Sequence, residues 1–524
     1  MQPRVKTPGS QYSTSRGSGG GPRRVQDCLR EPKWYSENRN RNSSGECRLT
    51  LSPVTAFVTV SLLFGTLIIL ATPPLRGPDE TAHFLRAYGV AQGDIIPSVR
   101  DAESRKGVLI PQRLYEGFEF FESARIKEKE AGFTYGPVFQ AYFGRRPARV
   151  DSDRPPTFVS YAGSEGYSPV AYLPQVAAAL AARVLDLDFV PTFYLMRFAG
   201  LAALTGLIAY AVAMVPNLAW AFLAISMLPA AIYGRSVINA DGSALASAMV
   251  VTALWLRGIL SPRLHILGRQ SFWLMLCALT KAPNLVFVLL GLMPLRGMPA
   301  RRWLLPALTI LPATAGAVIW AFSSGADTAT WRMVEITGQK LDAFNPAVKL
   351  AYLLDHPLHF PTAVISALHE KDLSEFWRQV IGVLGLFDTV LQRWVYPMVS
   401  VLFFCTFLAR PPLATAARYQ VVTVATITVL VYIVVIYFVC YLAFTPFDES
   451  TVWGVQGRYF VPILPLVAIM VATVVNRALD EWLSAALAIS AAVLSGCACI
   501  EAILRTDWIR DALQALALSA GARS

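Results

Sequence analysis

The sequence predicts an all-α polytopic membrane protein with about eleven transmembrane helices and further interfacial or re-entrant helices. Three observations predict it. The 524 residues are 54% hydrophobic and only 15% charged, with a mean hydropathy of +0.46, well away from soluble globular usage. Apolar runs of spanning length, or nearly so, recur from residue 51 to residue 504. Outside the two long loops, 73–190 and 323–393, no stretch is large enough for a soluble domain of ordinary size.

The chain begins with a basic segment. Residues 1–50 hold ten Lys or Arg against four Asp or Glu, a net of +6. The segment is rich in Gly, Ser, Arg and Asn and poor in large apolar residues, so it cannot bury enough surface to fold; it reads as a disordered cytoplasmic tail. Without interleaved aromatics or a regular basic face, attraction to anionic lipid headgroups fits it better than nucleic-acid binding. The first apolar run starts near Leu51 and continues for a full bilayer span, as an uncleaved anchor does. The seven cysteines form no CxxC pair and no disulfide framework, and read as small core residues.

Apolar runs centre on residues 54–70, 193–215, 218–233, 243–256, 272–295, 304–322, 396–408, 421–444, 461–475 and 485–504. The fifth holds Lys281 and Pro283 at its middle and splits into two short helices with Lys281 at the turn, because proline removes a helix donor and an ammonium avoids lipid. Residues 505–524 form a short C-terminal tail. The run 167–184, with Pro169, Pro174 and flanking tyrosines, reads as interfacial or re-entrant rather than spanning. That choice puts Arg263, Arg269, Arg296, Arg301, Arg302, Arg410, Arg418 and Arg477 on the cytoplasmic side with the basic tail, as the positive-inside tendency prefers. The candidate polar groups then converge on one extracytoplasmic face.

In "TPPLRGPDETAHFLRAY", Asp79 and Glu80 follow the first span directly. A carboxylate left in hydrocarbon is costly, so the pair faces water, a ligand or a cation. Two acids in a first helical turn suit the helix dipole, yet capping explains only one of them. With His83 and Arg86 they form the polar edge of a helix lying along the outer surface, with Phe84, Leu85 and Tyr88 toward lipid. A water-facing carboxylate can take a proton from a hydroxyl or bind a divalent cation, and the spacing does not separate the two. "SVINADGSALASAM" places Asn239 and Asp241 as helix caps or site groups, ahead of small residues that allow close helix packing. Lys281 can bind a lipid phosphate or snorkel. In "FDESTVWGVQGRYFVPILPL", Gln456 and Arg458 precede a span, with Arg458 a headgroup anchor or a phosphate contact. Asp388 suits a structural pair with Arg393. Three of the five histidines, His356, His359 and His369, share one loop, where Pro357 interrupts any common face. No nucleotide-binding loop, GxSxG or Rossmann glycine pattern occurs.

The segments "PPLRGPDETAHFLRAYGVAQG", "YSPVAYLPQ", "INADGSALASA", "LTKAPNLVFVLL", "VLGLFDTVLQRWVY" and "VQGRYFVPILPL" resemble, in order, a bacterial membrane-protein family, domain of unknown function twenty-one forty-two. Here the acids follow Gly77-Pro78 in place of the family's second proline pair. More distantly, the layout resembles the GT-C class of polytopic glycosyltransferases. That resemblance implies a polyprenyl-phosphate sugar as donor, Asp79 as base, with Glu80 beside it, and Lys281 near the lipid phosphate. His83, Arg86, Asn239, Asp241, Gln456 and Arg458 complete the expected binding set. No cofactor is required by the sequence, although a divalent cation fits the acids; the expected partners are membrane lipids and the lipid-linked sugar, in a bacterial inner membrane. The competing expectation is a non-catalytic component for exporting or scaffolding polysaccharide or lipid. Ion-coupled transport would need acids in mid-span, whereas most of these acids fall at helix ends.

Overall fold

The computed structural model describes residues 52–127, 133–137, 155–161, 163–260, 264–292, 304–325 and 328–506, with a few positions between 509 and 517. All lie in one unit, Ser52–Ser524. The basic segment 1–50, Arg263, Arg296, Arg301 and Arg302, and much of 505–524 lie outside the described residues.

The chain enters through α1 (Pro53–Ala71), turns through the Asp79 loop into α2 (Glu80–Ala91), and continues through β1 (Gly107–Ile110), α3 (Gln112–Lys127) and β2 (Thr157–Ser160). A 3-10 turn leads into α4 (Leu173–Val184), then α5 (Phe189–Met214), α6 (Ala219–Ser226), α7 (Pro229–Ser236), α8 (Asp241–Leu260) and α9 (Leu264–Thr280). After a 3-10 run, Ala282–Leu292, come α10 (Leu304–Ser324) and five short helices: α11 (Thr328–Thr337), α12 (Leu341–Phe344), α13 (Pro346–Asp355), α14 (His359–Glu370) and α15 (Leu373–Ile381). The ribbon β3 (Val383–Leu384) and β4 (Thr389–Val390) precedes α16 (Val395–Cys405) and α17 (Thr415–Phe444). A 3-10 segment, Gly457–Ile463, leads into α18 (Leu464–Val475), and α19 (Glu481–Leu504) follows. The only sheets among the described residues are two antiparallel two-stranded ribbons, β1–β2 with Gly107 opposite Ser160, and β3–β4.

Six helical segments among the described residues are long and apolar enough to cross a bilayer: α1, α5, α8, α17, Gly457–Val475 and α19. A seventh arises if α6 and α7, bent by 72°, make one broken span. This is an all-α multi-pass membrane architecture, in which the described residues supply six or seven of the eleven spans expected. Among the described residues three further apolar helical segments are shorter, Ala282–Gly291, Leu308–Ser324 and Val395–Cys405. The break at Lys281 falls where expected, between α9 and the 3-10 run. With twelve residues, α4 covers about 18 Å, well short of a hydrocarbon core of roughly 30 Å.

The innermost span is α8, with 78% of its apolar window buried. Its small residues allow this: a Cβ at Gly242 would sit 2.9 Å from the Gly234 carbonyl oxygen on α7, so only glycine permits that approach. Between α1 and α5, Ser61 and Thr205 share a hydrogen bond of 2.9 Å, satisfying two hydroxyls inside an apolar interface.

Buried cations close several helix ends. Arg197 donates to the Thr72 and Pro73 carbonyls after α1, Lys106 to Ser324 and Gly325 after α10, Lys349 to Tyr441 and Leu442 near the end of α17, and Arg235 to Ser226 at the end of α6. A helix C-terminus leaves carbonyls without intrahelical donors and carries partial negative charge, so each cation meets both needs.

Two expectations are corrected here. The α2 helix does not lie along an outer surface; Phe84, Leu85 and Tyr88 are buried, as are His83 and Arg86, and Phe84 packs among Phe118, Phe189 and Phe193. The long loop supplies a protein cover, so the apolar face meets side chains rather than lipid. Asp388 pairs with Arg76 at 3.2 Å, not with Arg393. The β3–β4 turn, with Gly385 and Phe387 at positive φ, directs Asp388 back toward the first loop.

Candidate functional site

The Asp79 loop is held from inside. Glu80 is fully buried and bonded to Arg197 by both carboxylate oxygens, at 2.8 and 2.7 Å. Its oxygens also accept the backbone N–H groups of Gly77 and Ile238, each at 2.8 Å. A Cβ at Gly77 would lie 2.9 Å from the Glu80 carboxylate, and a proline there would remove one of its donors. Gly77, where the family resemblance suggested proline, is thus matched to this carboxylate. Glu80 is a positioning residue in this geometry: all of its bonds go to protein groups that shape the loop.

Asp79 differs sharply from its neighbour. It occupies the N-cap position of α2 in the left-handed region, φ 51° and ψ 24°, without a capping hydrogen bond from its side chain, a conformation costly for most residues but tolerated by aspartate. Its side chain is 40% exposed. The Arg332 guanidinium lies 3.3 Å from Oδ1, and that of Arg458 lies 3.3 Å from Oδ2. These pairs are looser than a tight charge-assisted bond. Burial tends to raise the Asp79 carboxyl, but Arg458, Arg332 and His83 together outweigh it and hold the group below its ordinary value of 3.8.

Arg458 bridges to a second carboxylate. Its Nε lies 3.5 Å from Asp241 Oδ2 and donates to Gln456 Oε1 at 2.8 Å. Its guanidinium carbon sits 4.8 Å from the Phe387 ring centre and 5.4 Å from that of Tyr459. Lys281 donates to Asp241 Oδ1 at 2.5 Å and lies 4.0 Å from the Tyr459 ring centre. Asn239 holds Asp241 in place, its Oδ1 accepting the backbone N–H groups of Asp241 and Gly242 at 3.0 and 3.2 Å. Asp241, Lys281, Arg458 and Tyr459 also line a cavity of about 20 Å³, room for about one water, together with Ala230, Ala231 and Gly234.

His83 lies under the cluster, its Nδ1 2.5 Å from the Tyr172 hydroxyl. Burial chiefly, with Arg458 and Lys281 in support and Asp79 and Asp241 opposing, lowers its pKa from 6.5 to about 4. The ring is therefore neutral at neutral pH. On acidification from 6.5 to about 4, the unfolded chain takes up a proton that the folded one refuses, so stability falls as pH falls through this window. Replacement His83→Gln should flatten that part of a stability-against-pH curve measured by thermal unfolding in detergent; an unchanged slope would show that other groups set it.

Asp79, Asp241, Lys281, Gln456 and Arg458 thus come together, with Asn239 and His83 supporting them. Arg86 does not join them. It is fully buried and donates to the Asp94, Ile95 and Tyr167 carbonyls, so the expected ligand contact becomes a loop clamp. Arg332, Tyr459, Phe387 and Arg197 have no place among the expected site residues, and Tyr172 reads from the sequence only as an interfacial tyrosine. Arg197 had a signal, a lone arginine in the apolar run "FYLMRFAG". Arg332 had none.

Asp79 and Asp241 face three cations, Arg332, Arg458 and Lys281. Such a donor set favours an anion and opposes a divalent cation, which needs several free oxygen ligands. Among the described residues no three His, Cys, Asp or Glu side chains converge as metal ligands.

A family model described as predicted membrane protein (DUF2142) matches residues 62–467. The chain belongs to this family. The match runs from within α1 into α18 and takes in every member of the DUF2142 chain's ion cluster. No curated protein matches the chain.

Proposed function

We propose that this DUF2142 protein is a membrane glycosyltransferase, moving a sugar from a polyprenyl-phosphate donor to a cell-envelope acceptor on the extracytoplasmic side of a bacterial inner membrane. One observation carries the reading: a partly exposed carboxylate on a left-handed backbone stands at the edge of a cluster with three cations to two acids. Asp79 takes the proton as the acceptor hydroxyl oxygen bonds to the sugar's anomeric carbon. The bond from that carbon to the phosphate oxygen breaks, its electron pair leaves with the polyprenyl phosphate, and the anomeric centre inverts. Lys281, Arg458 and Arg332 stabilise the departing phosphate.

A GT-C-like fold is part of this proposal. The shorter apolar helices then serve as further crossings or re-entrant pieces, bringing the count nearer eleven. The second reading, a non-catalytic component of polysaccharide or lipid export, draws on Lys281 and Arg458 both being paired already.

The test is binding of polyprenyl phosphate to the purified protein, followed by transfer assays with a panel of polyprenyl-phosphate sugars. Lys281→Met and Arg458→Met should each weaken binding by about tenfold or more, the loss of a charge-assisted contact. Binding that ignores both substitutions would overturn the phosphate site. Binding without transfer of any sugar would favour the export reading.

A further inference from the structure

The helices between α10 and the β3–β4 ribbon carry an apolar surface that the cluster does not use. On α13, the following turn and α14, the side chains of Leu350, Leu354, Leu358, Ile365 and Leu368 are between 46% and 83% exposed. Water-facing helices of a soluble loop place charges at such positions. Here residues 346–368 contain only Lys349 and Asp355 as formal charges, and Lys349 is fully buried against carbonyls of α17. The charges resume on either side, at Lys340 and Asp342 before and at Glu370, Lys371 and Asp372 after.

The patch continues a surface that must meet lipid. Phe360 at the start of α14 packs on Phe438 of α17, ring centres 5.4 Å apart, and on Tyr441, at 5.7 Å. One turn before Phe438, Val434 is outward-facing, as are Leu430 and Ile427 below it. With 30 residues, α17 is about 45 Å long, so a hydrocarbon core of roughly 30 Å cannot cover all of it. The two helices therefore sit against the terminal part of this span, where acyl chains give way to headgroups.

From this placement we infer that α13 and α14 lie embedded in the lipid interface. The five apolar side chains enter the boundary between headgroups and acyl chains, to a depth of about 5–10 Å as interfacial helices do. Asp355 and the charges flanking these two helices remain in the headgroup layer. The occupant is the bilayer itself, chosen because the patch is depleted of charge and continuous with the outward face of α17. A second copy of the chain or a soluble partner would need no such continuity. The inference is independent of sugar transfer.

The test uses full-length protein in phospholipid vesicles, in a background freed of native cysteine. Single cysteines replace Leu354, Leu358, Ile365 or Leu368 and carry an environment-sensitive fluorophore. Ile427→Cys on α17 is the lipid-facing reference, and Lys340→Cys is the aqueous one. Brominated lipids should quench all four positions as they quench position 427, while aqueous iodide should quench position 340 alone. Iodide quenching of the four positions would place them in water, and protection from both quenchers would place them against protein; either overturns the inference. A second measurement needs no substitution. Phospholipids with a photoreactive group in the acyl chain should label the peptide covering 346–368 of the unaltered protein, and absence of adducts there beside clear labelling of α17 would also overturn it.

Discussion

Asp79→Asn should reduce sugar transfer by about 10²–10⁴-fold, the range over which a positioned general base contributes. The substitution is nearly isosteric, and Asp79 is partly exposed with two loose pairs, at 3.3 Å each. Little stability should therefore be lost with its charge. Donor binding should persist or tighten, because a negative charge leaves the surroundings of an incoming phosphate. Asp79→Glu keeps the base but moves it by one methylene, so its rate should fall between wild type and Asp79→Asn. The carboxyl lies below its ordinary pKa of 3.8, and the base form is lost only as pH falls through that lowered value. The activity profile should thus show no limb from Asp79 near neutrality. Full transfer by Asp79→Asn, with folding and binding intact, would overturn the role of Asp79 as the base.

Arg197→Met should destabilise the protein by about 3–5 kcal/mol, the usual consequence of removing one partner from a buried ion pair. Both side chains are fully buried, so no water can solvate the carboxylate left behind. Two carbonyls after α1 would lose donors in the same step. Glu80→Gln should also be damaging, because the amide nitrogen would face donors on Arg197, Gly77 or Ile238. The double variant Glu80→Gln with Arg197→Met should cost less than the sum of the two, since the second change removes a partner already unsatisfied. Thermal unfolding in detergent measures all three. Strict additivity, or a loss below about 1 kcal/mol for Arg197→Met, would contradict the pairing. Activity supplies the contrast with the neighbouring acid: Glu80→Gln should lose turnover only in proportion to the folded fraction, Asp79→Asn without unfolding.

Much of the cluster was legible in the chain. Asp79, Asp241, Lys281 and Arg458 each stand where an apolar run ends or breaks, and charge at such a boundary implies water or a partner. Sequence order could not say which acid of the Asp79–Glu80 pair turns inward. That depends on Arg197, a residue 117 positions away from Glu80. Arg332 comes from 253 positions beyond Asp79, on a short helix without a motif, and only the folded loop brings it there. The interfacial orientation expected for α2 failed for a related reason. Its polar residues occupy positions that suit a water-facing edge, yet His83 and Arg86 find their partners inside the protein.

The sequence by itself determined that the protein is helical and multi-pass, because hydrocarbon admits long apolar segments only when their backbone bonds are closed within the helix. It also determined the break at Lys281, where one ammonium and one proline interrupt an apolar run. Tertiary structure alone decided how many runs become full-length helices, which acid is buried and which is exposed, and which cations meet them. Apolar length is a local property that can be summed along the chain. Pairing of charges is decided by distance in space, and α1, α2, α5, α8, α11 and the Gly457–Ile463 segment bring together groups that the sequence holds hundreds of residues apart.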